Sequence, residues 1–264
     1  MKIDLNDKLV RFLVQEYVNP ICNYASEDEL NFNVHKLIHT FQVVEMAEKL
    51  IKKTIPALSP KIKKHILYAA LLHDLGRCHE FKNGKHLKHI DHGKIGKELI
   101  QKYFPRMTIE ADTTFFHNKL PSAKDPKSCQ PVLDYVRDAD MLANMKYQIN
   151  NTEIFLVHIW EHQKKNLLTP VIDKEIFQAA KKMEPVQTSK IKVKSILTMW
   201  LWELCWFFNL KTSAGIKCAQ EEKIFIKFKQ TIFKKIVPLT TRDKKKQKEL
   251  IQKIQETFPD RLFK

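Results

Sequence analysis

Long segments with helical periodicity lie between the prolines of this chain, and this pattern constrains the fold more than any other feature. The sequence contains eleven prolines and only five glycines. Between these breaks, apolar residues recur at helical spacing, whereas the alternation that is typical of half-buried strands is hard to find. We therefore predict an all-α fold in which short loops join the helices.

A first helix is predicted over residues 34–51 by a single stripe of side chains. The stripe consists of His39, Val43, Met46 and Leu50. Because residues three or four positions apart share one face of a helix, His39 lies in line with apolar neighbours. His39 therefore occupies a position that the pattern would give to an apolar residue.

A second helix is predicted over residues 62–75, where the stretch 66–72 is almost continuously apolar. This composition indicates a helix that is buried on most of its sides. We expect Gly76 to end it in the left-handed cap conformation. Further helices are predicted over residues 91–104, 108–118, 131–147 and 152–163, the first of them capped by Asp91, and from residue 170 onward.

The cysteines and the apolar stretches suggest a cytoplasmic location. The five cysteines are scattered and form no CxxC pair, which is typical neither of a disulfide framework nor of a thiolate zinc site, and suits a reducing compartment. The most apolar stretch, residues 196–210, contains Glu203 and is too short for a membrane span. We expect a protein without a membrane segment.

The net charge of +16 comes mainly from lysine. Such a charge attracts polyanions and small phosphorylated molecules, although a solvated lysine-rich surface is the more common explanation. No RNA- or DNA-recognition motif accompanies the charge, so a nucleic-acid partner is not expected. Nothing in the sequence determines the oligomeric state.

Ligand-type side chains occupy positions where the helical pattern calls for apolar residues. His73 and Asp74 end the buried second helix, and Asp140 lines up with Leu133 and Val136 on a later one. A buried carboxylate is costly unless it is paired or bound to a metal ion. Together with His39, these residues form the series His, His-Asp, Asp, which predicts a metal centre.

This series resembles the H…HD…D signature of the HD superfamily of metal-dependent phosphohydrolases. The resemblance covers roughly residues 30–165 and implies an HD-domain helical bundle. On this basis we expect one all-helical domain with a core over about 30–165 and a helical C-terminal extension over about 166–264.

Two more histidines resemble those of the binuclear branches of this superfamily. His92 opens a predicted helix, and His117 follows two phenylalanines. Asn118 stands where some branches have a second histidine, and this departure argues against a cyclic-dinucleotide phosphodiesterase. The resemblance then implies two metal ions bridged by Asp74. The full ligand set is His39, His73, Asp74, His92, His117 and Asp140. Ligation by nitrogen and oxygen alone favours iron, with manganese second.

Three further residues are candidates for contact with a substrate. Arg77, which follows the His-Asp pair, can clamp a phosphate through two oxygens, and we assign it a catalytic role beside Asp74. Lys94 can bind phosphate as a point charge, and Asn144 can orient the substrate. An ordinary surface ion pair or helix cap is an equally good interpretation of each of the three.

The resemblance leaves three classes of function open. The first is hydrolysis of a nucleotide or another small phosphate ester through a metal-bound hydroxide. The second is oxygenase chemistry, because inositol oxygenase and aminophosphonate-cleaving oxygenases have a similar six-residue set with two iron ions. The third is a regulatory module that binds a ligand without turnover. The frequency of each class in the superfamily favours the hydrolase.

Overall fold

The computed structural model describes residues 8–82, 85–87, 90–119, 126–154, 156, 168–184, 186 and 195–260. The chain forms two compact units, Met1–Asp140 and Met141–Lys264. Helices dominate both units, which confirms the predicted all-α class. In the part of the chain that the structure describes, the strands are limited to a short antiparallel hairpin in which Phe81 pairs with His86 and Lys82 with Lys85.

The first unit is a bundle of helices around a short 3-10 turn, Leu75–His79. Helix α2 packs on α1 and α3, while α5 packs on α3 and α4, and the turn contacts α1, α2 and α4. The helices are α1 (Lys8–Cys22), α2 (Glu27–Lys53), α3 (Pro60–Leu72), α4 (His92–Tyr103), α5 (Thr108–Phe116) and α6 (Val132–Asn150), and α6 continues into the second unit.

Helix α2 confirms the predicted helix over residues 34–51 but begins earlier in the chain. The Ser26 side chain caps it by accepting a hydrogen bond from the Glu29 backbone N–H. Acidic residues in the first turn and lysines in the last turn both favour the helix dipole. The buried face carries Val43, Met46 and Leu50, so the predicted stripe does face the core.

Helix α3 ends at Leu72, and the prediction that Gly76 forms a left-handed cap is wrong. Gly76 lies inside the 3-10 turn that follows. A Cβ atom at this position would meet the carbonyl oxygen of His92 at 2.0 Å. Glycine is therefore required because the turn and the start of α4 approach each other closely, which brings the residues after α3 next to those that open α4.

The later helices of the first unit begin close to their predicted positions. The Asp91 side chain accepts a hydrogen bond from the Lys94 backbone N–H and caps α4 as expected. Helices α5 and α6 match the predictions over residues 108–118 and 131–147 to within a few residues at each end. Most of the helix predicted over residues 152–163 lies outside the described residues.

The described helices of the second unit surround an aromatic core. The indole of Trp200 is fully buried, and its ring centroid lies 4.7 Å from that of Phe228. None of the described helices is long and apolar enough to cross a membrane. The helices are α7 (Lys174–Lys182), α8 (Ile196–Leu204), α9 (Ser213–Glu221), α10 (Ile224–Thr231), α11 (Val237–Thr240) and α12 (Lys244–Thr257).

Candidate metal centre

The six residues that the sequence predicted as metal ligands converge inside the first unit. They come from the middle of α2, the end of α3, the first residue of α4, the residue after α5, and α6. Five of the side chains are buried, and Asp140 is about one-quarter exposed. The residues are His39, His73, Asp74, His92, His117 and Asp140.

One side of the Asp74 carboxylate faces a first group of ligands. Its Oδ2 atom lies 3.7 Å from Nε2 of His73, and that nitrogen lies 3.9 Å from Oδ1 of Asp140. Nε2 of His39 lies 2.9 Å from the same oxygen of Asp140. Candidate ligand atoms of His39, His73 and Asp140 all lie within 4.8 Å of one another, which is close enough to surround one ion.

The other side of the Asp74 carboxylate faces a second group. Its Oδ1 atom lies 3.3 Å from Nε2 of His117 and 3.6 Å from Nε2 of His92. Candidate ligand atoms of His73, Asp74 and His117 also lie within 4.8 Å of one another. The two oxygens of this carboxylate thus face different imidazoles, Oδ2 that of His73 and Oδ1 those of His92 and His117, as the oxygens of a bridging ligand would.

Hydrogen bonds at Nδ1 leave the Nε2 atoms of three histidines facing the centre. Nδ1 of His73 lies 2.8 Å from the Ala70 carbonyl oxygen, and Nδ1 of His117 lies 2.7 Å from that of Thr114. Nδ1 of His92 lies 3.2 Å from Oε1 of Glu80. Each of these contacts favours the tautomer that carries its proton on Nδ1 and keeps a lone pair on Nε2.

The electrostatics of the centre favour charged carboxylates at Asp74 and Asp140 and neutral imidazoles at His39 and His117. Burial opposes ionisation of Asp74, but Lys36, His73 and Arg77 outweigh it and hold the pKa of this carboxyl well below its usual range. Partial burial also opposes ionisation of Asp140, but the hydrogen bond to His39 outweighs it and lowers the pKa. Burial lowers the pKa values of His39 and His117. These are the protonation states that metal ligands need.

The donor set fits a metal ion of borderline or hard character. Nε2 of His73 is buried without a hydrogen-bond partner, and a bound ion would satisfy it. The donors are imidazole nitrogens and carboxylate oxygens. Burial raises the pKa of the Cys78 thiol, which lies in the turn after Asp74, so this sulfur stays protonated and is a poor ligand.

The structure places the three predicted substrate-binding residues differently. Arg77 lies at the centre, with Nε 3.3 Å from Oδ1 of Asp74 and Nη1 2.8 Å from Oε1 of Glu80. The Lys94 side chain is 67% exposed, with its ammonium 4.0 Å from Glu98. Asn144 lies one turn after Asp140 on α6 and belongs to the second unit.

Three residues at the centre were not predicted as members of it. The Lys36 ammonium lies 3.3 Å from Oδ2 of Asp74. Glu80 holds both Arg77 and His92, and Nδ2 of Asn118 lies 3.1 Å from Nε2 of His92. The position of Lys36 one turn before His39 could have indicated its role, because such residues share a helix face. Glu80 carries no signal in the sequence.

Comparison with protein families agrees with this arrangement. Residues 37–145 match the family model of the HD domain, a range that includes all six converging residues and lies within the core predicted over residues 30–165. This part of the chain is therefore an HD domain, a family whose members are typically metal-dependent hydrolases. No curated protein and no solved structure is significantly similar to the chain.

Proposed function

We propose that the chain is a metal-dependent phosphohydrolase that acts on a nucleotide or another small phosphate ester. The observation that carries the proposal is the Asp74 carboxylate, whose Oδ2 faces His73 and whose Oδ1 faces His92 and His117. Bound there, two metal ions would activate a water molecule near neutral pH and neutralise charge on the phosphoryl oxygens. The HD domain match over residues 37–145 supports the same chemistry.

The chain's own residues prepare the centre for this reaction. Backbone carbonyls hold the rings of His73 and His117 so that Nε2 of each faces Asp74. The Tyr17 hydroxyl donates a hydrogen bond to the Asp74 carbonyl oxygen at 3.2 Å and fixes the backbone of the bridging residue. Fixed rings and backbone reduce the reorganisation that ligand binding and transition-state stabilisation would otherwise need.

Two positively charged side chains support an anionic substrate. Lys36 and Arg77 both contact the Asp74 carboxylate, so they lie beside the position where a phosphoryl group would meet the metal ions. Arg77 is positioned mainly by Asp74 and Glu80, and we propose that it stabilises the bridging carboxylate and contacts substrate with the rest of its guanidinium. Lys94 and Asn144 stay proposals as substrate-binding residues.

We propose iron as the native metal, with manganese as the second choice. The ligands are imidazoles and carboxylates, which suit both, while zinc or nickel can occupy such a site during purification because of their higher intrinsic affinity. The proposed location is the cytoplasm, where the five free cysteines would stay reduced. The proposed partner is a small phosphorylated molecule.

Elemental analysis of anaerobically purified protein, with Mössbauer and EPR spectroscopy on the same sample, tests the proposal. We expect close to two metal ions per chain and hydrolysis of at least one compound in a panel of nucleotides and phosphate esters. A mixed-valent di-iron signal that changes on addition of substrate, with oxygen consumption and no hydrolysis, would replace the hydrolase with the oxygenase.

His73→Ala provides a direct test of the metal centre itself. His73 contributes to both groups of candidate ligands, so its loss should remove bound metal while the helical circular-dichroism signal persists. His65→Ala is the matched control, since His65 is bound to Glu110 on α5 and is not among the six converging residues. Full metal retention in the His73 variant would overturn the proposal.

A further inference from the structure

We propose that Lys36 is a phosphate-binding residue of this centre and that it weakens metal binding at the same time. The inference rests on the proposed function, and it assigns to one side chain a specificity for phosphoryl groups. It follows from the position of the ammonium group beside the Asp74 oxygen that faces the first group of ligands.

Lys36 lies on the ligand-bearing face of α2, three residues before His39. Its side chain is 15% exposed, and the ammonium lies 3.3 Å from Oδ2 of Asp74 and 5.9 Å from the centre of the Phe32 ring. Oδ2 is also the atom that faces His73. Lys36 therefore reaches the inner wall of the centre and keeps some access to solvent, as a substrate-binding group must.

Arg77 is the more tightly held of the two cations at this centre. The Arg77 guanidinium is held by two carboxylates, with Nε on Asp74 and Nη1 on Glu80. The Lys36 ammonium has three hydrogen-bond donors, and the contact with Asp74 uses one of them. The remaining donors can bind an incoming anion, and a flexible lysine stem lets the charge follow it.

The same charge has opposite effects on the two ligands of the centre. A metal ion held at Oδ2 of Asp74 would share that carboxylate oxygen with the ammonium, and their like charges would repel. A phosphate oxygen bound near the metal is attracted to both. Removal of the charge should therefore strengthen metal binding and weaken phosphate binding, whereas a purely structural ion pair predicts a loss of stability and weaker metal binding.

Lys36→Met tests this inference, because methionine keeps most of the apolar stem without the charge. The control is Lys52→Met, which removes an exposed lysine from the same helix. Isothermal titration calorimetry of full-length protein measures Mn²⁺ binding to metal-free chain and inorganic phosphate binding to Mn²⁺-loaded chain, at constant ionic strength. Lys36→Arg, which keeps the positive charge, is a second control. Circular dichroism checks that each variant is folded.

We expect Lys36→Met to raise the Mn²⁺ affinity about threefold or more and to lower the phosphate affinity about tenfold, as expected for loss of one nearby charge. Lys52→Met should change neither, and Lys36→Arg should retain phosphate binding. Unchanged phosphate affinity, an absence of phosphate binding in the parent protein, or weaker Mn²⁺ binding in Lys36→Met would overturn the inference.

The experiment separates this inference from the proposed function because neither titration requires turnover. Opposite shifts in the two affinities, without hydrolysis of any ester, would support the phosphate site and contradict the hydrolase. Hydrolysis together with unchanged phosphate affinity in Lys36→Met would support the hydrolase and remove Lys36 from the substrate site.

Discussion

Two buried carboxyl groups, one in each unit, show how differently the same chemical group can be used in this chain. Asp74 and Glu203 are 3% and 6% exposed. Lys36, His73 and Arg77 surround Asp74 and hold its pKa well below the usual range, despite burial. Burial raises the pKa of Glu203 to about 8, and only a hydrogen bond to Gln148 opposes it.

The difference indicates which buried carboxyl group belongs to a functional centre. A carboxylate that stays charged in a protein interior needs several positive or hydrogen-bonding partners, and these must come from different elements of the fold. Asp74 has such partners on α2, α4 and the residues after α5. Glu203 is accommodated as a neutral group, and a neutral carboxyl group does not attract a cation.

The largest effect is expected from neutralisation of Asp74. Asp74→Asn keeps the shape of the side chain but removes the charge that both groups of histidines face, so metal content should fall from near two ions to near zero. Glu203→Gln makes the matching change in the second unit and should retain the full metal content. Elemental analysis measures the metal content of both variants, and equal metal content in the two would contradict this prediction.

The next largest effect is expected at the second group of ligands. His92→Ala or His117→Ala removes a nitrogen on the Oδ1 side of Asp74 and leaves His39, His73 and Asp140 in place. We expect the stoichiometry to fall from near two toward one. If it stays unchanged, the centre is the simpler type with one ion, and Asp74 is not a bridge.

Glu203 should make the stability of the protein depend on pH. Its pKa is about 8 in the fold and near 4.5 when exposed, so the folded state favours the protonated form. This contribution is complete below the unfolded pKa and is lost as the pH rises toward 8. A glutamine at this position stays neutral at every pH, so Glu203→Gln should not lose stability as the pH rises. The variant should have a free energy of unfolding about 2–4 kcal/mol higher than the parent at pH 8.

Urea denaturation of the parent and the Glu203→Gln variant at about pH 5.5 and about pH 8 measures this effect. The lower pH lies between the two pKa values of Glu203, and the higher pH lies near its pKa in the fold. The variant should differ from the parent mainly at the higher pH. An equal difference at both values would show that Glu203 is charged throughout and that the contrast with Asp74 is smaller than the burial implies.

The smallest effect is expected at Glu80, a carboxylate that acts through His92. Its pKa is lowered, against burial, by the hydrogen bond with His92 and by Arg77. Glu80→Gln weakens the orientation of the His92 ring and should reduce affinity for the second metal ion by about tenfold to a hundredfold. Glu98→Gln, at an exposed position on α4, is the control, and competition with a chelator measures the affinity.

The sequence alone predicts the burial of residues that share a helix face or follow a helix end. His39 stands in an apolar stripe, and His73 and Asp74 end a continuous apolar run, so their burial could be predicted without tertiary contacts. Gly76 was misinterpreted because a close approach of another backbone leaves no local pattern. A glycine after a helix indicates a special backbone position and does not reveal which kind.

The sequence by itself determined the helical class of this chain and pointed to His39, His73, Asp74 and Asp140, because periodicity and misplaced polar groups are local properties. His92 and His117 were predicted only from the resemblance to the HD superfamily. Only the tertiary structure decided that Oδ1 and Oδ2 of Asp74 face different histidines, and that Lys36 and Glu80 join the centre. Lys36 and Asp74 are 38 positions apart. The helix face that Lys36 shares with His39 can indicate that Lys36 lies near the centre. Its contact with Asp74 depends on how α2 packs beside α3 and the turn that follows, which neither segment's pattern shows.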